Sequence, residues 1–135
     1  MNGKDWTSKA LPQYGCYVHN EVLDSRYLEE HFPGESDGNM YRLVGSANLN
    51  NRGTNLSNYR TLYNKRNNGS EDDYSDIITL VKTLDQRNPG AEYLDQVGQI
   101  VDIKQWARYM AMDALLCNHE GGMADGRGDD VAIMR

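Results

Sequence analysis

An aspartate and an asparagine five residues apart, Asp113 and Asn118, are the residues whose types and spacing best suit chemistry. Phosphoryl transfer uses such a pair. In a kinase catalytic loop the carboxylate orients or deprotonates the attacking hydroxyl, and the amide five residues on holds a magnesium ion. Aspartate and asparagine are both common, and the same spacing suits a buried aspartate that caps or pairs within a core and does no chemistry.

The element that must position the pair runs from Gln105 to Gly122, QWARYMAMDALLCNHEGG. Trp106, Tyr109, Met110, Asp113, Leu116 and Cys117 recur at the three- and four-residue spacing of one helical face. Ala107, Ala111 and Ala114 flank that face as good helix formers. Asp102 is the expected N-cap, and Gly121-Gly122 the expected stop. Asp113 stands where the pattern asks for an apolar residue. A carboxylate on a buried stripe costs several kcal/mol unless it is paired or hydrogen-bonded.

Other constellations are weaker. His19, His31 and His119 have no histidine partner at helical spacing, which argues against zinc. Asp125-Gly-Arg-Gly-Asp129-Asp130 gathers three carboxylates but lacks the bidentate glutamate of a calcium loop, and a plain turn is the simpler reading. The Arg127-Gly128-Asp129 tripeptide recurs by chance and is given no role. Glu71-Asp72-Asp73 reads as a solvated acidic approach to a helix. Cys16 and Cys117, on an expected strand and helix, form no Cys-x-x-Cys pair; buried free thiols are expected, with a single disulfide as the alternative.

The chain of 135 residues fits one modest domain. Its net charge of -6 argues against a nucleic-acid partner. No run of apolar residues is long enough to span a membrane. The opening MNGKDWTSKALPQYG lacks the apolar centre of a signal peptide, which leaves open a longer precursor.

Along the chain, residues 1–13 read as an irregular lead-in to a domain over 14–135. Tyr14 to Val22 alternates like a strand. Asp24 caps a short helix with Tyr27, Leu28 and Phe32 on its apolar side, stopped by Pro33-Gly34. Asn39 to Gly45 reads as a second strand. Ser46 to Ser70, rich in Asn and Gly, reads as a polar insertion over the surface, anchored by Tyr59, Leu62 and Tyr63. Asp76 to Gln86 is a helix burying Ile77, Ile78, Leu80, Val81 and Leu84, capped by Ser75 or Asp76. Ala91 to Val97 is a short helix, and Val131 to Met134 begins a strand. The class is α+β, helix-rich with a few short strands.

These stretches, in this order, resemble the CotH (spore coat protein H-like) atypical kinases. Tyr14–Asp24 (YGCYVHNEVLD) resembles that family's strand ending in a glutamate. The helix after it closes on Phe32-Pro33-Gly34, where the family has Phe-Gly or similar. Gly38–Arg42 (GNMYR) resembles a GNLYK strand. Asp76–Ile78 and Val101–Ile103 resemble helix starts. Tyr109–Asp113 through Asn118, then Gly128–Met134, resemble the catalytic loop and the strand after it. The likeness covers roughly residues 14 to 134.

The resemblance implies a kinase-like fold using ATP and magnesium and acting on protein Ser or Thr in a secreted or spore-coat setting. Residues 14–22 would lead into the hinge beside adenine, with Glu21 as a cofactor-binding residue. Asp113 would be the catalytic acid/base, and Asn118 a magnesium and cofactor ligand. Two family features are missing: a second metal-binding Asp after the strand at Val131–Met134, and a phosphate-contacting Lys or Arg on an upstream strand, where Lys4 and Lys9 are the only lysines. Glu120 stands where many members carry Asp, and Asp129-Asp130 where His-Asn is more usual. The expectation is therefore the central segment of an incomplete kinase fold, inactive by itself. The alternative is a non-catalytic extracellular structural or binding module of the same fold.

Overall fold

The computed structural model describes residues 19–86, 89–118, 128 and 130–135. The lead-in, Cys16, most of the expected strand over 14–22, and the stretch from His119 to Arg127 with Asp129 lie outside the described residues.

Asp24 starts the first helix, α1 (Ser25–His31), as its composition suggests. The Asp24 carboxylate accepts the N–H groups of Arg26 and Tyr27 at 3.0 and 3.2 Å, satisfying donors that a helix start leaves orphaned. Leu28 is its buried anchor. Residues 19–22 before it are exposed and irregular, so the strand expected to end at Val22 is not formed there. The Glu21 side chain folds onto His31 instead.

The sheet has three antiparallel strands in the order β2-β1-β3. The central β1 (Met40–Leu43) pairs Tyr41 with Lys65 of β2 (Tyr63–Lys65) and with Ile133 of β3 (Ala132–Met134). Its alternation puts Tyr41 and Leu43 into the core and leaves Arg42 exposed.

Strand β2 comes from the tract expected to lie over the surface, which also holds the short helix α2 (Ser57–Arg60). Tyr59 and Tyr63 are fully buried, with ring centroids 5.7 Å apart. Asparagines here replace backbone partners. Asn67 accepts the Met40 N–H at 2.7 Å and donates to the Gly38 carbonyl at 2.6 Å. At Asn67, which is 5% exposed, the tract's polarity is thus spent inside the fold, not on water. Gly128 packs under the same tract at φ 65°, where an added Cβ would stand 2.4 Å from the Ala47 carbonyl oxygen. Both the backbone angle and the contact require glycine.

Helix α3 (Ser75–Leu84) buries Ile77, Ile78, Leu80 and Val81 against the sheet. Its N-cap is Tyr74, not Ser75 or Asp76. The Asp73 carboxylate takes the Ser75 N–H at 2.8 Å, while Asp76 is turned inward to accept the Tyr41 hydroxyl at 2.7 Å and Asn39 at 2.8 Å. The short helix α4 spans Tyr93–Gly98. Helix α5 (Ile103–Leu115) begins where expected, with the Asp102 side chain accepting the Gln105 N–H at 3.0 Å. The molecule is a small α+β fold whose core lies between α3 and the sheet, with Trp106 of α5 partly buried against it.

Candidate active site

Helix α5 ends earlier than its glycines suggest. The Asn118 N–H reaches the Asp113 carbonyl at 3.1 Å, and the Cys117 N–H reaches Ala114 at 3.2 Å. Cys117 is left-handed at φ 50°. This crossed pair is a Schellman stop, with Cys117 where glycine is usual. The five-residue spacing therefore has a local cause: Asp113 and Asn118 are the two residues that such a helix end ties together. The Asn118 side chain adds a third tie, donating to Asp113 Oδ1 at 2.7 Å.

Asp113 is 6% exposed and is the buried residue of α5. Its Oδ2 is buried without a hydrogen-bond partner. One carboxylate oxygen is thus engaged, and the other is left to a donor or cation that the described residues do not supply. The rest of the expected apolar face is not buried. Met110 is 45% and Leu116 71% exposed, Tyr109 lies at the margin, and Cys117 is an exposed free thiol. The helix forms, but the side packed inward is centred on Trp106 and Asp113, and most of the apolar stripe lies off it.

Tyr109, one turn before Asp113, lines a cavity of about 290 Å³ between α1, α5 and β3. Leu23, Tyr27, Met40 and Trp106 share the lining. Burial first, and the Asp113 charge second, push the Tyr109 phenol above its ordinary pKa. Cavity and carboxylate thus meet at Tyr109.

Glu21 is placed elsewhere. It accepts from His31 Nε2 at 2.9 Å and lines a separate hollow with His19, Asp24 and Glu30; Tyr27 touches both hollows. Glu21, Glu30 and His31 bring ligand atoms within 4.8 Å of one another, a grouping missed in the sequence because ten residues separate Glu21 from His31. All three are exposed, and Glu30 already pairs with Arg26 at 3.0 Å, so the group reads as a surface charge network. Asp130 forms an ion pair with Arg42 beside β3.

A family model described as CotH kinase protein matches residues 2–134. The chain belongs to the CotH kinase family. Searches of curated proteins and of solved structures each return no significant match. Within the CotH chain, α5 and its Asp113–Asn118 end fall in the stretch that resembled a catalytic loop. No helix among the described residues is long and apolar enough to cross a membrane.

Proposed function

We propose that this CotH chain is part of an ATP-dependent protein kinase that transfers a γ-phosphate to Ser or Thr hydroxyls of secreted or spore-coat proteins. Family membership supports the reaction class. The observation that carries the site is the buried, unpartnered Oδ2 of Asp113 on a helix end fixed by Asn118. A carboxylate oxygen with no donor among the described residues fits a hydroxyl proton or a cation. In this reading Asp113 orients the acceptor hydroxyl and takes its proton, and Asn118 contributes to holding magnesium. The bound metal would neutralise charge on the phosphoryl oxygens. Helix α5 supplies the positioning, because its end leaves the carboxylate little freedom to turn. Glu21 stays a proposed nucleotide contact, supported by the likeness of the Tyr14–Asp24 segment alone.

A second reading is a non-catalytic module of the same fold. The favouring observation is that Asp113 and Asn118 also make a complete helix stop, a structural task in itself. A thermal melt paired with a radiolabelled ATP transfer assay, on full-length wild type, Asp113→Asn and Asn118→Ala, separates the two. Near-native melting of Asp113→Asn, with transfer abolished in both variants, supports the kinase reading. Retained transfer in Asp113→Asn sinks it. Transfer that falls only with the folded fraction favours the module.

A further inference from the structure

The sheet has two edges, and the fold treats them differently. At β2, Lys65 folds its ammonium back onto the carbonyls of Glu71 and Asp73 at 3.2 and 3.1 Å, a charged guard on that edge. At β3 no such guard stands among the described residues. The exchange of backbone bonds between Asn39 and Arg135, and the bond from the Leu43 N–H to the Val131 carbonyl, fix which β3 residues face β1. Val131, Ile133 and Arg135 face inward. Ala132 and Met134 alternate with them, opposite Arg42 and Met40, so their N–H and C=O groups point away from the sheet. Ala132 is exposed, and its small side chain leaves the edge open to close approach.

The cavity beside Tyr109 runs along this edge. It is lined by the four consecutive residues Val131 to Met134. Successive side chains of a strand point to opposite faces, so a hollow that meets all four, and also Met40 beside Met134, reaches from one face of the sheet to the border of β3. Its other wall is apolar and aromatic, with Tyr27, Trp106 and Tyr109. Outward backbone donors and acceptors beside an apolar hollow are the two parts that strand-addition peptide sites combine: the main chain supplies binding and the hollow selects a side chain.

We propose that the outer edge of β3, with this cavity, docks an extended peptide segment of a protein partner, which adds as a fourth strand and places one large apolar side chain beside Tyr27, Trp106 and Tyr109. The site goes beyond the transfer reading and does not depend on it, since binding is measured without ATP. A lipid or a small apolar solute would leave the outward N–H and C=O groups of Ala132 and Met134 unanswered; a strand answers them.

The test uses the full polypeptide and a synthetic library of blocked heptapeptides whose central residue is fixed in turn as Phe, Leu, Ser, Asp or Lys. The Phe and Leu pools are expected to bind at least about ten-fold more tightly than the others. The best peptide should lose about ten-fold or more when alternate backbone nitrogens are methylated. Amide exchange at Ala132 and Met134 should slow at saturation, while Ile133 is protected throughout. Ala132→Pro removes one outward N–H and no sheet bond, and should weaken binding similarly. If that variant does not fold, the methylated peptide decides the same point. Pools within about two-fold of one another, or unchanged Ala132 and Met134 amides at saturation, overturn the proposal. So does protection of those amides before peptide is added: with a dimer in sedimentation it assigns the edge to a second copy, and with a monomer to another strand of the same polypeptide.

Discussion

Asn118 holds Asp113 twice, through its backbone N–H to the Asp113 carbonyl and through its side-chain amide to the Asp113 carboxylate. The first bond stops the helix and the second fixes the carboxyl group. Asn118→Ala keeps the backbone bond and removes the other, leaving a buried carboxylate with neither oxygen bonded to a donor among the described residues. The expected loss is about 1–3 kcal/mol in urea denaturation at neutral pH. A change near zero would mean that Asp113 is not held by its neighbour, and the site's geometry would have to be drawn anew.

Cys117 occupies a left-handed position at the same helix stop. That conformation crowds any side chain against the following carbonyl, and glycine escapes it. Cys117→Gly should therefore stabilise the protein by about 0.5–1 kcal/mol, after the entropy that glycine adds to the unfolded chain. Chemical denaturation of the two proteins checks this. A destabilised variant would show that the thiol makes a contact worth more than the strain.

The helices were legible because their signals are local. Asp24 and Asp102 cap as their types suggest, and the apolar spacing of Ile77 to Val81 finds its core. The Asp113–Asn118 pair was legible as a spacing, and the structure supplies its cause in the crossed bonds of the helix stop. What was hidden depends on partners remote in sequence. The tract over 46–70 looked like solvent-facing loop because Asn and Gly dominate it, yet Asn67 serves Met40 and Gly38, some thirty residues away. The phase of α5 was hidden for a related reason: periodicity marks an apolar stripe but not which side of the helix meets the sheet. The Glu21–His31 contact bridges an irregular segment and a helix end, a pairing no period announces.

That tract gives a third prediction. Tyr59 and Tyr63 are fully buried, and Tyr63 begins β2. Tyr63→Ala should cost about 3–5 kcal/mol, the range for removing a buried aromatic side chain. The amide of Arg66, just past the end of β2 and bonded to the Met40 carbonyl at 2.8 Å, should exchange as slowly as those of α3 and far more slowly than those of Asn50 to Gly53. Exchange as fast as that of the exposed loop would return the tract to the surface.

Alkaline pH tests the buried polar link between sheet and α3. Tyr41 is fully buried and donates its hydroxyl to Asp76 at 2.7 Å. Burial first, then that hydrogen bond and the Asp76 charge, push the Tyr41 phenol far above its ordinary value. Tyr74, its ring 5.7 Å away, is also raised, by burial first and the Asp72 charge second. The unfolded phenols titrate near pH ~10. Above that pH the unfolded chain releases protons that the folded chain keeps, so the unfolded state binds fewer protons and stability falls as pH rises. Below it the contribution is fully present. Each such tyrosine should add a slope of up to about 1.4 kcal/mol per pH unit above ~10. Urea midpoints taken at pH 8, 10 and 11 measure the slope. Tyr41→Phe should lower stability at pH 8, because it removes one of the two donors to Asp76 Oδ1 and leaves only the Ile77 N–H, and should make the decline above pH 10 shallower. An equal slope in wild type and variant would show that Tyr41 ionises freely in the folded protein, and that its bond to Asp76 does not close the sheet onto α3.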